Sequence, residues 1–130
     1  MIKIQKETFN VEEEIHHIKK NLHDVGAVSI FIGYVRNINN DKKISSIYLD
    51  VYKAMAKKSL EVIIDKANKK WNLSDNLVIH RHGKLNIGEK IVLVATFSPN
   101  RKDSTKACEF IMDYLKKEAP FWKKENYING

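Results

Sequence analysis

The stretch at residues 27–35, AVSIFIGYV, decides the fold class of this 130-residue chain. It is almost continuously apolar and rich in β-branched and aromatic residues, which is typical of a strand covered on both faces. Gly33 lies inside it, and a glycine within a strand indicates a β-bulge or a close approach by another group. We therefore expect a strand here that is buried on both sides.

Three segments outside this strand carry apolar residues at helical spacing. The first has a capping-box-like start at Asn10 and Glu13, and it is expected to end at Gly26. The third has Asp103 or Ser104 as its cap. The apolar positions of the three helices are Val11, Ile15, Ile18, Leu22 and Val25; Met55, Leu60, Ile63, Ile64, Ala67 and Trp71; and Ala107, Ile111, Tyr114 and Leu115.

The remaining segments have the alternating or apolar composition of strands, and the polar run 36–43 is expected to be a loop. The element order is βαββαβββα, which is neither a doubly wound pattern nor a bundle. It predicts an α+β fold with three principal helices and a mixed, mainly antiparallel sheet. The predicted strands besides 27–35 are 2–5, 44–52, 77–82, 85–87 and 90–98.

Length and composition fit one domain over residues 1–130, since the chain has no internal repeat, low-complexity tract or linker. Hydrophobic residues make up 43% and charged residues 30%, a balance that argues against disorder. No apolar run approaches the roughly 20 residues of a membrane helix. The N-terminus lacks the apolar core of a signal peptide, and Cys108 is the single cysteine. We therefore expect a protein of the cytoplasm, a reducing compartment.

The formal net charge of +7 attracts anions without choosing among phosphates, acidic proteins and nucleic acid. Nucleic acid is the weaker hypothesis, because the sequence has no aromatic-glycine signature of an RNA-recognition sheet, no Gly-x-x-Gly loop and no zinc knuckle. His80 and His82 could share a strand face and ligate a metal, but no third ligand accompanies them, so we predict no metal site. Cys108 is expected to be a buried structural thiol.

Segment 110–125, FIMDYLKKEAPFWKKE, holds two lysines where an anion could bind. Lys116 ends the third helix, a proline stops that helix, and Lys123 follows the Pro-Phe-Trp corner. Cations also complement the dipole at a helix C-terminus, which is the simpler explanation. Two positioned ammonium groups can stabilise negative charge on oxygen or sulfur and exchange protons. Arg36 and Arg101 lie at strand ends and are natural additions, since arginine binds phosphate bidentately.

Five ordered segments carry a family pattern that covers residues 26–125. They are Gly26-Ala27 through Gly33-Tyr34-Val35-Arg36; Tyr48-Leu49-Asp50-Val51-Tyr52 with Met55-Ala56; His80-Arg81-His82-Gly83 with Leu85, Ile87, Gly88 and Glu89; Ser98 to Arg101; and Met112-Asp113-Tyr114-Leu115-Lys116 with Ala119-Pro120-Phe121-Trp122-Lys123-Lys124-Glu125. Together they resemble the large, catalytic subunit of molybdopterin synthase. The last segment is the most specific of the five.

The resemblance implies an α/β-hammerhead fold and a homodimer within a heterotetramer. It implies that a small ubiquitin-like subunit inserts a thiocarboxylated C-terminal tail into the large subunit. Two sulfur transfers from that tail would convert precursor Z, a cyclic pyranopterin monophosphate, into molybdopterin during molybdenum cofactor biosynthesis. No cofactor or metal of the large subunit's own is implied, and no nucleic acid or membrane partner.

Position by position, Lys116 and Lys123 match the family's catalytic lysines, and Arg36 and Arg101 match arginines that bind substrate and tail. Asn100 stands where the family usually has histidine, so it can bind through hydrogen bonds but cannot titrate. The family also tends to continue past the Trp-Lys-Lys-Glu motif, and we expect no contribution from such a tail here. The leading hypothesis is the sulfur-transferring enzyme, and these two departures motivate an alternative, a binding or scaffold paralogue that has lost turnover. A basic nucleic-acid-binding domain is the more distant alternative.

Overall fold

The computed structural model describes residues 1–39 and 41–127, which form three helices and eight strands. The predicted α+β class, with three principal helices and mainly antiparallel pairing, is confirmed. In chain order the elements are β1 Ile2–Gln5, α1 Val11–Lys19, β2 Ala27–Tyr34, β3 Ile38–Asn39, β4 Lys42–Val51, α2 Lys53–Lys70, β5 Asp75–Arg81, β6 Gly83–Asn86, β7 Lys90–Ser98, α3 Arg101–Lys117 and β8 Phe121–Tyr127.

The strands form two sheets joined at the end of β2. The main sheet has the order β1-β5-β7-β2, with only the β1–β5 pair parallel. Helices α2 and α3 pack on one face of it and α1 on the other, because each helix presents an apolar stripe. In the second sheet β4 pairs with β6 and β8, and the β3 hairpin extends from its start. A small core of Val35, Ile44, Ile47, Leu49 and Leu85 holds this sheet against the end of β2.

The 27–35 stretch is a strand, but the expectation that it is buried on both faces is wrong. Strand β2 is an edge strand of the main sheet, its residues are only half-buried, and Ile30 and Tyr34 are exposed. Helices on both faces reach Phe31 and Ile32 but do not extend over the whole edge. The bulge predicted at Gly33 is confirmed, since the β2–β7 register shifts between Gly33 and Tyr34.

Two strands are absent from the sequence-based prediction. Residues 38–39 pair with Lys42 and Lys43 within the run that was expected to be a loop, and Asn40 of that run lies outside the described residues. The Pro-Phe-Trp corner was predicted at residues 120–122 and no element after it, but residues 121–127 are a strand that pairs along the length of β4. Three of its residues are Lys123, Lys124 and Glu125, whose low β-propensity concealed the strand, and pairing with β4 overrides that propensity.

Two helix predictions also need correction. Helix α1 has the predicted cap, with the Asn10 side chain accepting a hydrogen bond from the Glu13 N–H, but it ends at Lys19 rather than at Gly26. In α2 the buried positions are Ala56, Leu60, Ile63 and Ala67. Met55, predicted to face the core, is exposed because it lies one position outside that stripe.

Gly26 is needed for a close approach rather than for a helix end. Its N–H donates to the carbonyl of Ser98 at 2.9 Å, which holds the start of β2 against the end of β7. A Cβ atom at this position would lie 2.2 Å from the carbonyl oxygen of Pro99. Backbone atoms cannot move aside as a flexible side chain can, so only glycine fits here.

We expect Gly26→Ala to destabilise the protein by about 1–3 kcal/mol, the usual cost of forcing extra atoms into a packed region. Urea denaturation would measure the free energy of unfolding. The reverse change at the next residue, Ala27→Gly, is the control and should cost about 0.5–1 kcal/mol through backbone entropy alone. A smaller loss for Gly26→Ala than for Ala27→Gly would contradict the steric explanation.

Candidate active site

A cationic pocket forms where the second sheet meets the end of β2. Its open volume is about 80 Å³. Apolar side chains form most of the wall, and Arg36, Lys123 and Glu125 supply the charge. The lining residues are Tyr34, Val35, Arg36, Ile38, Ile44, Ile47, Ile91, Lys123 and Glu125.

Lys123 reaches this pocket because of the register of β8. It lies directly opposite Leu49 in the antiparallel β4–β8 pair, so both side chains point to the same face of the sheet. Leu49 is buried in the small core beneath that face. The register therefore directs the Lys123 ammonium toward the inner, concave side of the second sheet.

Arg36 is held at the pocket by hydrogen bonds of its neighbour. The Val35 N–H donates to the Glu89 carbonyl at 3.0 Å, and the Val35 carbonyl accepts from the Gly88 N–H at 2.9 Å. Val35 itself is buried, whereas Arg36 directly after it is exposed. The backbone is thus fixed at the end of β2 while the guanidinium extends to the pocket.

Lys116 lies at the end of the molecule where β2 ends and Arg36 follows it. Helix α3 and strand β2 both begin beside the end of β7, where the Ser29 hydroxyl donates to the Ser104 hydroxyl at 2.9 Å. The two elements pack side by side, so the C-terminus of α3 lies toward the end of β2 that bears Arg36. Lys116 is exposed on the last turn, where the N–H groups of residues 118 and 119 bond the Tyr114 carbonyl.

Asn100 and Arg101 lie at the opposite end of α3. The helix runs from Arg101 to Lys117, and a rise of 1.5 Å per residue separates Arg101 from Lys116 by roughly 22 Å along the axis. Within one chain, the structure therefore does not bring Arg101 to the pocket that Lys123 lines.

Asn100 caps α3, so the predicted caps Asp103 and Ser104 are wrong. The Asn100 Oδ1 accepts from the Asp103 N–H at 2.9 Å, and its Nδ2 donates to the Asp103 carboxylate at 3.3 Å. An N-cap oxygen that satisfies a free N–H of the first turn typically contributes about 1 kcal/mol to stability. The Asn100 amide is thus engaged in holding the helix start.

The His80 ring packs against the first residue of β8. It is buried at the end of β5, its Nδ1 lies 2.8 Å from the Arg81 carbonyl, and its ring stacks on Phe121 at 3.7 Å between centroids. Burial lowers the pKa of His80 to about 4, with the nearby charge of His82 as a smaller cause. The imidazole is therefore neutral near pH 7, and its stacking partner is the first residue of the strand that carries Lys123.

The other candidate groups are structural. Cys108 is buried as predicted, and burial raises the pKa of its thiol to about 11, so it is protonated and unreactive near neutrality. His82 follows β5 rather than lying in it. Within residues 1–39 and 41–127 no three His, Cys, Asp or Glu side chains converge on a common point.

Sequence reasoning missed the apolar wall of the pocket and two of its polar residues, Tyr34 and Glu125. Glu125 lies two positions after Lys123 on β8, opposite Ile47, and therefore on the same face of the sheet. That alternation would have identified it had residues 121–127 been recognised as a strand. Tyr34 gives no such signal, because its exposure depends on β2 being an edge strand.

The fold and the pocket define a class, an α+β protein of hammerhead type with a cationic pocket where its two sheets meet. The family model described as MoaE protein matches residues 4–118. The chain therefore belongs to the MoaE protein family. None of the helices in the described residues is long and apolar enough to cross a membrane.

Curated relatives carry the name molybdopterin synthase catalytic subunit. The protein from Ralstonia nicotianae is 47% identical over 129 residues, which are 99% of this chain and 73% of the relative. The protein from Haemophilus ducreyi is 44% identical over 130 residues, 100% of this chain and 85% of the relative. The prediction of a molybdopterin synthase large-subunit-like enzyme of molybdenum cofactor biosynthesis is thereby confirmed.

Solved structures agree with this assignment. The molybdopterin biosynthesis MoaE protein from Burkholderia ambifaria superposes with a TM-score of 0.88 at 36% identity, covering 98% of this chain and 88% of that one. Molybdopterin synthase from Staphylococcus aureus gives a TM-score of 0.87 at 33% identity, with 98% and 92% covered. A protein–protein complex of subunits 1 and 2 of molybdopterin-converting factor from Helicobacter pylori, 24% identical with a TM-score of 0.81, shares the fold.

The buried imidazole makes stability depend on pH. Because the pKa of His80 falls from 6.5 unfolded to about 4 folded, its contribution is complete above pH 6.5 and is lost as the pH falls toward 4. His80→Phe keeps a ring beside Phe121 but cannot titrate. When the pH falls from 7.5 to 5, we expect the free energy of unfolding of this variant to decrease by about 2 kcal/mol less than that of the wild type. Urea denaturation at both pH values measures this. Parallel losses in the two proteins would show that His80 is not responsible.

Proposed function

We propose that Lys123 and Lys116 are the catalytic groups of sulfur transfer in this chain, and that Arg36 binds the substrate beside them. The donor would be the thiocarboxylated C-terminus of a small ubiquitin-like subunit, and the acceptor precursor Z. The observation that carries the proposal is the shared pocket of Lys123 and Arg36, at the end of the molecule where α3 presents Lys116. Belonging to the MoaE protein family supports the same chemistry.

The pocket suits a reaction that develops negative charge. In each transfer the tail sulfur bonds to a substrate carbon and displaces an oxygen leaving group, phosphate or hydroxide, from that carbon. Water then attacks the acyl carbon of the resulting thioester, the acyl carbon–sulfur bond breaks, the sulfur stays on the substrate as a thiolate, and the tail ends as a carboxylate. Negative charge builds on oxygen or sulfur during these steps. The Lys123 ammonium beside Ile44 and Ile47 stabilises that charge more strongly than it would in bulk water, because apolar walls lower the local dielectric.

Arg36 matches the phosphate of the substrate. A guanidinium presents two parallel N–H groups to a phosphate, whereas an ammonium acts as a point charge. Arg36 stands at the pocket on a fixed backbone and its side chain is exposed, so it can receive a ligand from solvent. In this proposal Arg36 binds and orients the substrate, and the two lysines stabilise negative charge and transfer protons.

A second copy of the chain would complete the site. The pocket of about 80 Å³ in one chain is well below the roughly 300 Å³ or more of a typical small-molecule site. Asn100 and Arg101, roughly a helix length from Lys116, can act on the same substrate only if a partner chain presents them. We therefore propose a homodimer, each protomer carrying one small subunit, in a heterotetramer of the cytoplasm in which residues 1–130 act as one domain.

Loss of either lysine should stop the reaction. We expect Lys116→Ala and Lys123→Ala each to lower the rate of dithiolene formation roughly 100- to 1,000-fold, the usual effect of removing a group that stabilises a developing anion. The assay mixes each variant with thiocarboxylated small subunit and precursor Z. Lys117→Ala is the matched control, because Lys117 lies one residue on and lines a different groove, between α2 and α3. Full activity of Lys116→Ala and Lys123→Ala would refute the assignment.

Mixed dimers test the shared site. Arg101→Ala and Lys123→Ala should each be inactive alone, yet their equimolar mixture should recover about a quarter of wild-type activity, since half the dimers are mixed and each has one intact site. The double variant carrying both changes in one chain, mixed with inactive Lys123→Ala, is the control and should show no recovery. If the first mixture also stays inactive after exchange of protomers, the two residues do not meet across a dimer.

A further inference from the structure

A buried arginine lies at the end of β5, outside the pocket. Of the lysines and arginines in the described part of the chain, Arg81 is the one that is buried, with its side chain 8% exposed. Its Nε donates to the Lys6 carbonyl at 3.0 Å, and its Nη1 donates to the Lys90 carbonyl at 3.0 Å and to Glu89 Oε1 at 3.2 Å. Burying a charge costs free energy unless it is paired and hydrogen-bonded, and this guanidinium is both.

The guanidinium holds the turn between β6 and β7 through Glu89. One carboxylate oxygen of Glu89 accepts from Arg81, and the other accepts from the N–H of Asn86, the last residue of β6. The Glu89 N–H donates back to the Asn86 carbonyl at 3.1 Å. The hydrogen bond from Asn86 lowers the pKa of Glu89 below its ordinary value, burial opposes this shift, and Arg81 adds to it. The turn is therefore closed by an ionised carboxylate that is also tied to the main sheet.

This turn holds the chain at the point where the β2–β7 pairing stops. That pairing ends at Tyr34. Val35 instead exchanges two hydrogen bonds with the turn, since its N–H donates to the Glu89 carbonyl and its carbonyl accepts from the Gly88 N–H. The backbone of Val35, and of Arg36 directly after it, is therefore set by the position of the turn.

Stability alone is a weak explanation for a buried ion pair. Removing two charges from water costs about as much free energy as their attraction returns, so apolar residues of similar volume often stabilise a fold equally well. An apolar side chain could not, however, donate hydrogen bonds in fixed directions. The guanidinium of Arg81 does so to three segments of backbone and turn, which are the residue after β1, the β6–β7 turn and the first residue of β7. This geometry fixes a backbone in addition to filling space.

We propose that Arg81 and Glu89 are a positioning pair that holds Arg36 in place for substrate binding. The inference rests on the proposed function, since the pair acts through the phosphate-binding role of Arg36. Neither member of the pair lines the pocket, so both act at a distance from the substrate. The pair fixes the turn and the turn fixes Val35, so the backbone that carries Arg36 needs no ordering when substrate arrives. Such ordering in advance lowers the entropic cost of binding, and it therefore affects KM for precursor Z more than kcat.

Glu89→Gln tests the pair with little change of shape. An amide has one acceptor oxygen where a carboxylate has two, so the hydrogen bonds from Arg81 and from Asn86 can no longer go to separate oxygens. We expect the amide hydrogen of Val35 to exchange with solvent roughly tenfold faster than in the wild type, because local opening of the turn becomes easier. NMR-detected hydrogen exchange on the full chain measures this without substrate or small subunit.

Two further variants keep the exchange experiment decisive. Glu14→Gln is the matched control, because it neutralises the carboxylate of another partly buried ion pair, that of Lys3 and Glu14 at 2.9 Å between β1 and α1. It should leave exchange at Val35 unchanged. Arg81→Lys keeps the buried charge but replaces the fork of N–H donors by a single ammonium, so it should accelerate exchange as well. It provides the answer if Glu89→Gln fails to fold.

A double-mutant cycle shows whether the pair acts through Arg36. With thiocarboxylated small subunit, we expect Glu89→Gln to raise KM for precursor Z roughly fivefold and to leave kcat within about twofold of the wild type. In a chain that already carries Arg36→Ala, the same change should have no further effect on KM, because the side chain that the pair positions is gone. A general loosening of the fold would raise KM equally in both backgrounds.

The outcomes separate this inference from the proposed function. Unchanged exchange at Val35 in both Glu89→Gln and Arg81→Lys would overturn the positioning pair, and so would equal effects on KM with and without Arg36. Either result would leave the binding role of Arg36 itself intact. A wild-type KM for the single variant Arg36→Ala would instead overturn that binding role, and the function of the pair with it.

Discussion

The antiparallel pairing of β8 with β4 is the interaction on which the candidate site depends. It brings a strand of low intrinsic propensity, with Lys123, Lys124 and Glu125 in its middle, onto the edge of β4 that β6 leaves free. Because side chains alternate along a strand, this single register sends Lys123 to the inner face and Trp122 to the outer face. A shift by one residue would exchange them and dismantle the pocket.

The register is fixed from two sides. Phe121 at the start of β8 stacks on the buried His80 of β5, and the Asn126 amide near its end donates to the Ser46 hydroxyl at 3.1 Å. His80 in turn pairs with Ile4 of β1 and Val92 of β7, so the main sheet orients the strand that carries Lys123. The second sheet carries Lys123, and the main sheet holds the start of the strand on which Lys123 lies.

Much of the fold could be predicted from the sequence because apolar periodicity reports burial. Strand β7 matches its predicted bounds, and α2 and α3 differ only at their ends. The failures have a common physical origin. Strand β8 is stabilised by its partner rather than by its own residues, and Gly26 serves a tertiary contact that resembles a helix stop in sequence. Tertiary pairing of this kind leaves no local signal.

The candidate site, like the fold, could be predicted from the sequence only in part. Residue chemistry alone predicted Lys116, Lys123, Arg36 and Arg101 as an anion-handling set. The structure places Lys123 and Arg36 on one pocket, and the last turn of α3, with Lys116, lies toward the same end of β2. That Arg101 belongs to the other end follows only from the length and direction of the helix. A sequence gives the number of residues between two cations, but the distance between them is set by the element that joins them.

The position of β8 in the chain also has a consequence for synthesis on the ribosome. The interval from Val51, at the end of β4, to Phe121 is about 70 residues, so at roughly 5–20 residues per second the paired edge of β4 waits several seconds for its strand. During that time the nascent chain presents an open edge next to apolar residues, a condition that favours capture by chaperones. Lys123 and Glu125 are also the last of the lining residues to be synthesised, which means that no earlier portion of the chain can hold the complete pocket.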